Sequence, residues 1–411
     1  MADKSYLRGT HRAVPPSVTL ERVLPHLDRY GITRVADITG LDRIGIPVFA
    51  AYRPNARSVS VSQGKGLSKS AAKISGIMEG IEIWHAEHIK KPLRLASFSE
   101  MSEDVAVVNV KQLPAKSTSR FHDHMPTLWI AGTDFTSDDE KWVPYESVHS
   151  NFTLPLPSGS GSFQISTNGL ASGNTWFEAV NHAISEVIER DCMALWALRG
   201  GPSNPNDRVD LTTVQDPDCR SVIDMLEAGG QAVGVWSVTS DIGLPAFACV
   251  IADRTPNHLG RHYYSEGSGC HVKREIALLR ALTEAAQTRL TFISGARDDA
   301  HRDVYLSMRE PSRVNKYLTW INEPTAAPSV HFGATPTFET ASFEADVEIQ
   351  INLLREVGLR EVVTVDLEGR TPGIEVAKVI IPGLEGIHDA PGYVAGRRAQ
   401  AQQQTLTGEA A

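Results

Sequence analysis

The sequence predicts an α/β fold in one large domain with internal repeats, and three observations predict it. Strand-like and helix-like periodicities alternate along most of the 411 residues, the pattern of mixed sheet and helix layers. A unit of strand, glycine-bearing loop and acidic helix occurs three times. So does a unit of helix, strand, turn and strand, which favours one pseudo-symmetric domain over a string of separate modules.

Composition sets the outer bounds. Hydrophobic residues make up 41% and charged ones 22%, proportions of a globular chain able to bury a large core. The net charge of −9 argues against a phosphate-backbone binder, whose affinity rests on clustered Lys and Arg. The opening "MADKSYLRGTHRAV" has no signal-peptide core, and apolar runs such as "LPAFACVIA" are too short to span a bilayer. A cytoplasmic protein with no nucleic-acid or membrane partner is expected. Cys192, Cys219, Cys249 and Cys270 are scattered without a CxxC pair, so they read as reduced structural thiols.

Taken in order, residues 1–17 read as a lead-in, 18–395 as the catalytic domain and 396–411 as a flexible tail. The helix–strand–turn–strand unit turns at Gly45-Ile46-Pro47, Gly243-Leu244-Pro245 and Gly373-Ile374-Glu375. The first glycine-bearing unit is "RSVSVSQGKG", with Gly64 and Gly66 placed before a helix. On that helix Ser75, Glu79 and Glu82 are four and three residues apart and share a face, while Ile74, Ile77, Met78 and Ile81 fill the other. The second unit passes through Gly169 and Gly173 into "AVNHAISEVIE", with Ala179, His182, Glu186 and Glu189. The third passes through Gly267 and Gly269 into "ALLRALTEAAQ", with Ala277, Arg280, Glu284 and Gln287. Glycines between strand and helix allow tight turns and close backbone approach, and a helix N-terminus attracts anions. Residues 294–343, carrying "EPTAAPS" and "GATPT", read as a surface insertion.

Glutamates on a helix are usually solvated, and intrahelical pairing is the first test of that. Glu186 has Arg190 four residues on, but Glu79, Glu82 and Glu284 are followed at that spacing by Ile83, Ala86 and Thr288, so a salt-bridge ladder does not account for them. If the three units pack around one centre, five carboxylates face one another and need a cation. Mg²⁺ suits hard oxygen ligands shared with nucleotide phosphates. Lys65, Arg190, Arg280 and Arg289 are then candidates to hold those phosphates. "SVSQGKGLS" lacks the first glycine of a P-loop, and no GxSxG, HExxH or GxGxxG occurs, so hydrolase, zinc-protease and dinucleotide readings lack support. His182 either touches a ligand or packs between helices. Trp84, Trp176 and Trp196 read as core.

The set "SQGKGLSKSAAKISGIMEGIE", "NGLASGNTWFEAVNHAISEVIERD", "EGSGCHVKREIALLRALTEAAQTRLTFISGARDD" and "VAKVIIPGLEG" resembles the YcaO family over about residues 35 to 395. The resemblance implies an ATP site without a P-loop, in which acidic helices bind Mg²⁺ around the phosphates. Ser75, Glu79 and Glu82 match the family's SxxxExxE motif, and Asn174, Glu178, Glu186, Glu189 and Arg190 its GN-to-ExxER segment. Glu284, Gln287 and Arg289 match its later helix, and Lys65 its phosphate-side lysine. It implies Glu79, Glu82, Glu186 and Glu189 as metal ligands and the others as ATP-binding, with no catalytic residue beyond that site.

Family members are similar in phosphorylating a peptide-backbone amide oxygen with ATP, which turns a very poor leaving group into a good one. The chain ends "GEAA", without the PxPxP tail typical of azoline-forming members, and it lacks a large N-terminal leader-binding extension. Its opening looks like the branch associated with TfuA-type partners. The expectation is therefore a thioamide synthetase acting on a ribosomal peptide or protein, with a sulfide source, a separate TfuA-like partner and room for a homodimer. The alternatives are an azoline- or amidine-forming cyclodehydratase, and a non-catalytic ATP-binding accessory protein.

Overall fold

The computed structural model describes residues 3–255, 263–322, 329–369 and 371–408. Helix α1 (Pro16–Val23) begins on a proline, whose fixed φ suits the first helical position. The antiparallel strands β1 (Arg34–Asp37), β2 (Val48–Tyr52) and β3 (Val61–Lys65) follow in that order. Helix α2 (Lys69–Glu87) starts where the Ser68 hydroxyl accepts from the Ala71 amide, the usual satisfaction of an orphan N–H. Next come β4 (Leu93–Ala96), α3 (Phe98–Asp104), β5 (Thr127–Asp134), β6 (Asp139–Pro144) and β7 (Leu170–Gly173). Thr175 caps α4 (Trp176–Leu198), and after the two-residue β8 (Val209–Asp210) Asp216 caps α5 (Pro217–Ala228).

Strands β9 (Gln231–Ser237), β10 (Ala246–Asp253) and β11 (Tyr264–Cys270) form a second antiparallel sheet and lead into α6 (Arg274–Ser294). The chain continues through α7 (Arg302–Ser307), α8 (Pro311–Asn322), β12 (Val330–His331) and α9 (Phe343–Glu356). It closes with β13 (Val363–Asp366), β14 (Glu375–Ile380) and α10 (Arg397–Thr407). The largest sheet runs β4-β5-β13-β14-β7, with β6 on β5.

One local arrangement recurs. In β1-β2-β3, β9-β10-β11 and β13-β14-β7 a middle strand pairs antiparallel with both neighbours, and the last strand leads into α2, α6 or α4. The third set is assembled out of chain order, because β7 and α4 precede β13 and β14 by more than a hundred residues. Gly45, Gly243 and Gly373 turn the chain between first and middle strands at φ of 83°, 79° and 73°, a left-handed conformation that a side chain resists.

The glycines ahead of the acidic helices do a different job from the loop role expected of them. Gly64, Gly173, Gly267 and Gly269 lie within strands. A Cβ on Gly64 would sit 1.9 Å from the Gly76 nitrogen, on Gly173 2.5 Å from that of Ala179 and on Gly267 2.3 Å from that of Ala285. Each helix thus rests backbone to backbone on its strand, which brings its carboxylates within reach of strand N–H groups. Ile77 and Ile81 are fully buried beneath α2, each contributing about 1.5–3 kcal/mol relative to exposure. Trp196 is buried and Trp84 and Trp176 pack against the core, while all four cysteines are buried and unbridged.

Two expectations along the chain change. The segment 294–343 is not a simple surface insertion: α8 buries Val314 and Ile321, and the Tyr317 hydroxyl donates to Glu266. Of "EPTAAPS", residues 323–328 lie outside the described residues. The expected flexible tail carries α10, whose Arg398 Nε donates to buried Asp191 at 2.9 Å and whose Ala399 amide donates to Glu385 at 2.9 Å; residues 409–411 lie outside the description. The lead-in is tied into the fold by a buried ion pair of 2.8 Å between Lys4 and Asp346. Among the described residues, no helix is long and apolar enough to cross a membrane.

Candidate active site

The helices α2, α4 and α6 and the N-terminal segment enclose a cavity of about 860 Å³. Of the residues singled out from the sequence, Lys65, Ser75, Glu79, Glu82, Asn174, Glu178, His182, Glu186, Glu189, Arg190, Arg280, Glu284 and Gln287 line it.

Carboxylates on each helix are fixed by strand donors. The Gln63 amide donates to Glu79 at 3.1 Å. Glu82 on α2 reaches across to β7, accepting from the Ser172 amide at 2.9 Å and its hydroxyl at 2.5 Å. Glu189 on α4 reaches β11, accepting from the Ser268 hydroxyl at 2.6 Å. Glu284 on α6 reaches β3, where Lys65 Nζ lies 2.5 Å away. The three links run from helix to the next strand and close a ring around the cavity. Gln287 joins it by donating to the Gln63 carbonyl at 3.2 Å.

At the N-terminal side Asn174 and Glu178 form a second, fully bonded group. Glu178 accepts from Arg12 at 3.2 Å, from the Ala13 amide at 3.0 Å and from Asn174 at 3.2 Å. The Thr19 hydroxyl donates to Asn174 at 2.8 Å. His182 both faces the cavity and accepts from Arg280 at 3.2 Å; burial and that guanidinium hold it well below the ordinary imidazole value, so it is neutral.

The charge balance inside is uneven. Burial pushes Glu82 up to about 8, against its bond from Ser172 and reinforced by Glu79 and Glu186. Burial likewise lifts Glu186 to about 7, with Arg190 opposing and Glu189 adding to the rise, and lifts Glu79. Glu284 goes the other way: burial would raise it, but Lys65 and Arg190 hold it well below the usual carboxylate range. Near neutral pH, Glu82 and Glu186 therefore share protons that a divalent cation would displace. Glu189 Oε2, Arg190 Nε and Gln287 Oε1 are buried without hydrogen-bond partners, a cost that a polar ligand would relieve.

Among the described residues no three carboxylate, imidazole or thiol groups converge on one point. That fits Mg²⁺ held by one or two carboxylates per ion and completed by phosphate oxygens and water, and does not fit an all-protein cage.

Arg289 is a correction. It lies outside the cavity, with Nε 3.2 Å from Asp42, Nη2 3.0 Å from Asp253 and its guanidinium over the Tyr263 ring, so it braces α6 and is not placed to hold phosphate. Sequence reasoning also missed cavity residues: Arg8 and Arg12 from the N-terminal segment, Arg297 and Asp299 after α6, and Asp389 near the C-terminus. They sit in irregular segments where periodicity carries no signal.

The YcaO family model, described as a cyclodehydratase binding ATP and Mg²⁺, matches residues 63–385. An uncharacterized protein of Methanothermobacter thermautotrophicus is 36% identical over 395 residues, covering 94% of this chain and 98% of that one. A protein in the tfuA 3' region of Rhizobium leguminosarum bv. trifolii is 34% identical over 384 residues, covering 91% and 88%. Among solved structures, YcaO from Methanopyrus kandleri bound with AMPPCP and Mg²⁺ superposes with a TM-score of 0.75 at 22% identity, over 97% of this chain and 99% of that one. A heterocyclase in complex with substrate and cofactor gives 0.80 at 22% identity over 99% of this chain, which spans 56% of that longer protein. At such identity these two likenesses show a shared fold.

Proposed function

The chain belongs to the YcaO family, whose members bind ATP and Mg²⁺, and from that premise we propose that it activates a peptide-backbone amide with ATP and exchanges the amide oxygen for sulfur. The observation that carries this reading is the closed ring of carboxylates from three helices around one cavity.

In this reading Glu79, Glu82, Glu186 and Glu189 hold Mg²⁺, which would neutralise phosphate charge when bound. Lys65 and Arg190 face the phosphates, and Ser75, Asn174, Glu178, Glu284 and Gln287 complete the ATP site. The Ser172 and Ser268 hydroxyls fix the carboxylates before the nucleotide arrives, so little reorganisation is left for the reaction itself. The amide oxygen attacks the terminal phosphorus and ADP leaves. Hydrosulfide adds to the activated carbon, and phosphate departs with the former amide oxygen. Positioning and charge neutralisation are the protein's main contribution.

The relative in the tfuA 3' region supports the sulfur-inserting branch, with a TfuA-like protein as the partner delivering sulfide. The substrate is a ribosomal peptide or a protein, modified in the cytoplasm. A second reading, cyclodehydration to an azoline, is favoured by the family's own description. Mass spectrometry of the modified peptide separates them. Sulfur in place of oxygen is the expected change, and loss of water would replace the first reading by the second.

A further inference from the structure

Eight carboxylates line the cavity, and seven are accounted for. Four are the proposed metal ligands. Glu178 is held by Arg12, Asn174 and the Ala13 amide, Glu284 by Lys65, and Asp299 by Arg297 at 2.6 Å. Asp389 remains. It is exposed at the cavity wall, and among the described residues it makes no hydrogen bond or ion pair.

Asp389 lies in irregular chain, yet that chain is fastened on both sides. The Ile387 amide donates to Gln164 at 3.2 Å, and the Ser117 amide donates to the Gly392 carbonyl at 2.8 Å. Buried Glu385 accepts from the Tyr393 hydroxyl at 2.6 Å and from the Gly396 amide at 2.8 Å. The charged and titratable groups within electrostatic reach of Asp389 are Arg190, His388 and Glu266. A carboxylate held in place, open to solvent and beside the cation proposed to face phosphate is equipped to take and pass on a proton.

We propose that Asp389 is the catalytic proton acceptor of the second half-reaction, an inference that rests on the amide-activation reading. Once hydrosulfide has formed the new C–S bond, the tetrahedral carbon carries an S–H, the nitrogen and the phosphorylated oxygen. Asp389 takes the sulfur-bound proton, the freed electron pair forms C=S, the C–O bond breaks, and the leaving phosphate receives the proton from Asp389. No oxidant or reductant enters: amide, hydrosulfide and ATP become thioamide, ADP and phosphate.

The test replaces the gene in its own cells by Asp389→Asn, Asp389→Ala and Asp389→Glu and reads modified against unmodified peptide by mass spectrometry. Each purified variant is also titrated with Mg·ATP. The expected result is a loss of product of about 10²–10⁴-fold for Asp389→Asn and Asp389→Ala, partial recovery in Asp389→Glu, and unchanged Mg·ATP affinity throughout. Near-normal product in Asp389→Asn, or product lost together with Mg·ATP binding, overturns the assignment. A wild-type product that has lost water refutes the sulfur reading alone, and Asp389 then stands or falls on whether Asp389→Asn makes that product, since a side-chain nucleophile must also shed a proton. Wild-type cells with neither mass change sink amide activation and this inference with it.

Discussion

If Glu82 and Glu186 hold metal, binding of Mg·ATP must expel protons, and the number follows from the site. A carboxylate at about 8 is ~0.9 protonated at pH 7 and one at about 7 is ~0.5 protonated, so ionising both releases ~1.4 protons. The perturbation is the buffer: calorimetric titration at pH 7 with preformed Mg·ATP in two buffers of different ionisation enthalpy. The slope of observed enthalpy against buffer enthalpy is the proton count. The sign has a counterpart in stability. Both groups are raised above their unfolded values, so without ligand their contribution favours the folded state least above pH 8 and is regained as pH falls toward the ordinary carboxylate range. Mg·ATP should reverse that trend. Equal enthalpies in both buffers, or proton uptake, would refute the assignment of these two carboxylates.

Other perturbations separate bracing from binding. Arg289→Ala leaves Asp42 and Asp253 without their shared cation and should cost about 3–5 kcal/mol in denaturant unfolding, with Mg·ATP affinity of the folded protein unchanged; lost affinity at intact stability would restore Arg289 to the site. Gly64→Ala puts a Cβ 1.9 Å from the Gly76 nitrogen, so α2 must move outward with Glu79 and Glu82. A loss of about 1–3 kcal/mol with weaker Mg·ATP binding is expected, and a neutral thermal melt would show that the strand and helix have room to part.

The acidic helices were legible because their signal is local. Spacings of four and three put Ser75, Glu79 and Glu82 on one face, a spacing of three puts Glu284 with Gln287 on another, and those faces meet at the cavity. Arg289 shows the limit of motif matching: five residues beyond Glu284, it is turned about 140° around α6, toward Asp42 and Asp253. The turns at Gly45, Gly243 and Gly373 were readable because positive φ selects glycine. The glycines at 64, 173 and 267 were misplaced into loops because the reason for them, a helix backbone lying on the strand, is tertiary. Two partners of Glu178, Ala13 and Arg12, are 165 and 166 residues away in an irregular segment, and the docking of α10 through Arg398 and Asp191 spans 207. No window along the chain contains either contact.

Whether three helices gather their carboxylates to hold Mg·ATP is decided by calorimetric titration with ATP, with and without Mg²⁺, of the wild type, Glu82→Ala and Glu189→Ala. The wild type should bind only when Mg²⁺ is present, and neither folded variant should bind. ATP bound equally without Mg²⁺, or near-normal Mg·ATP binding by both variants, would contradict it.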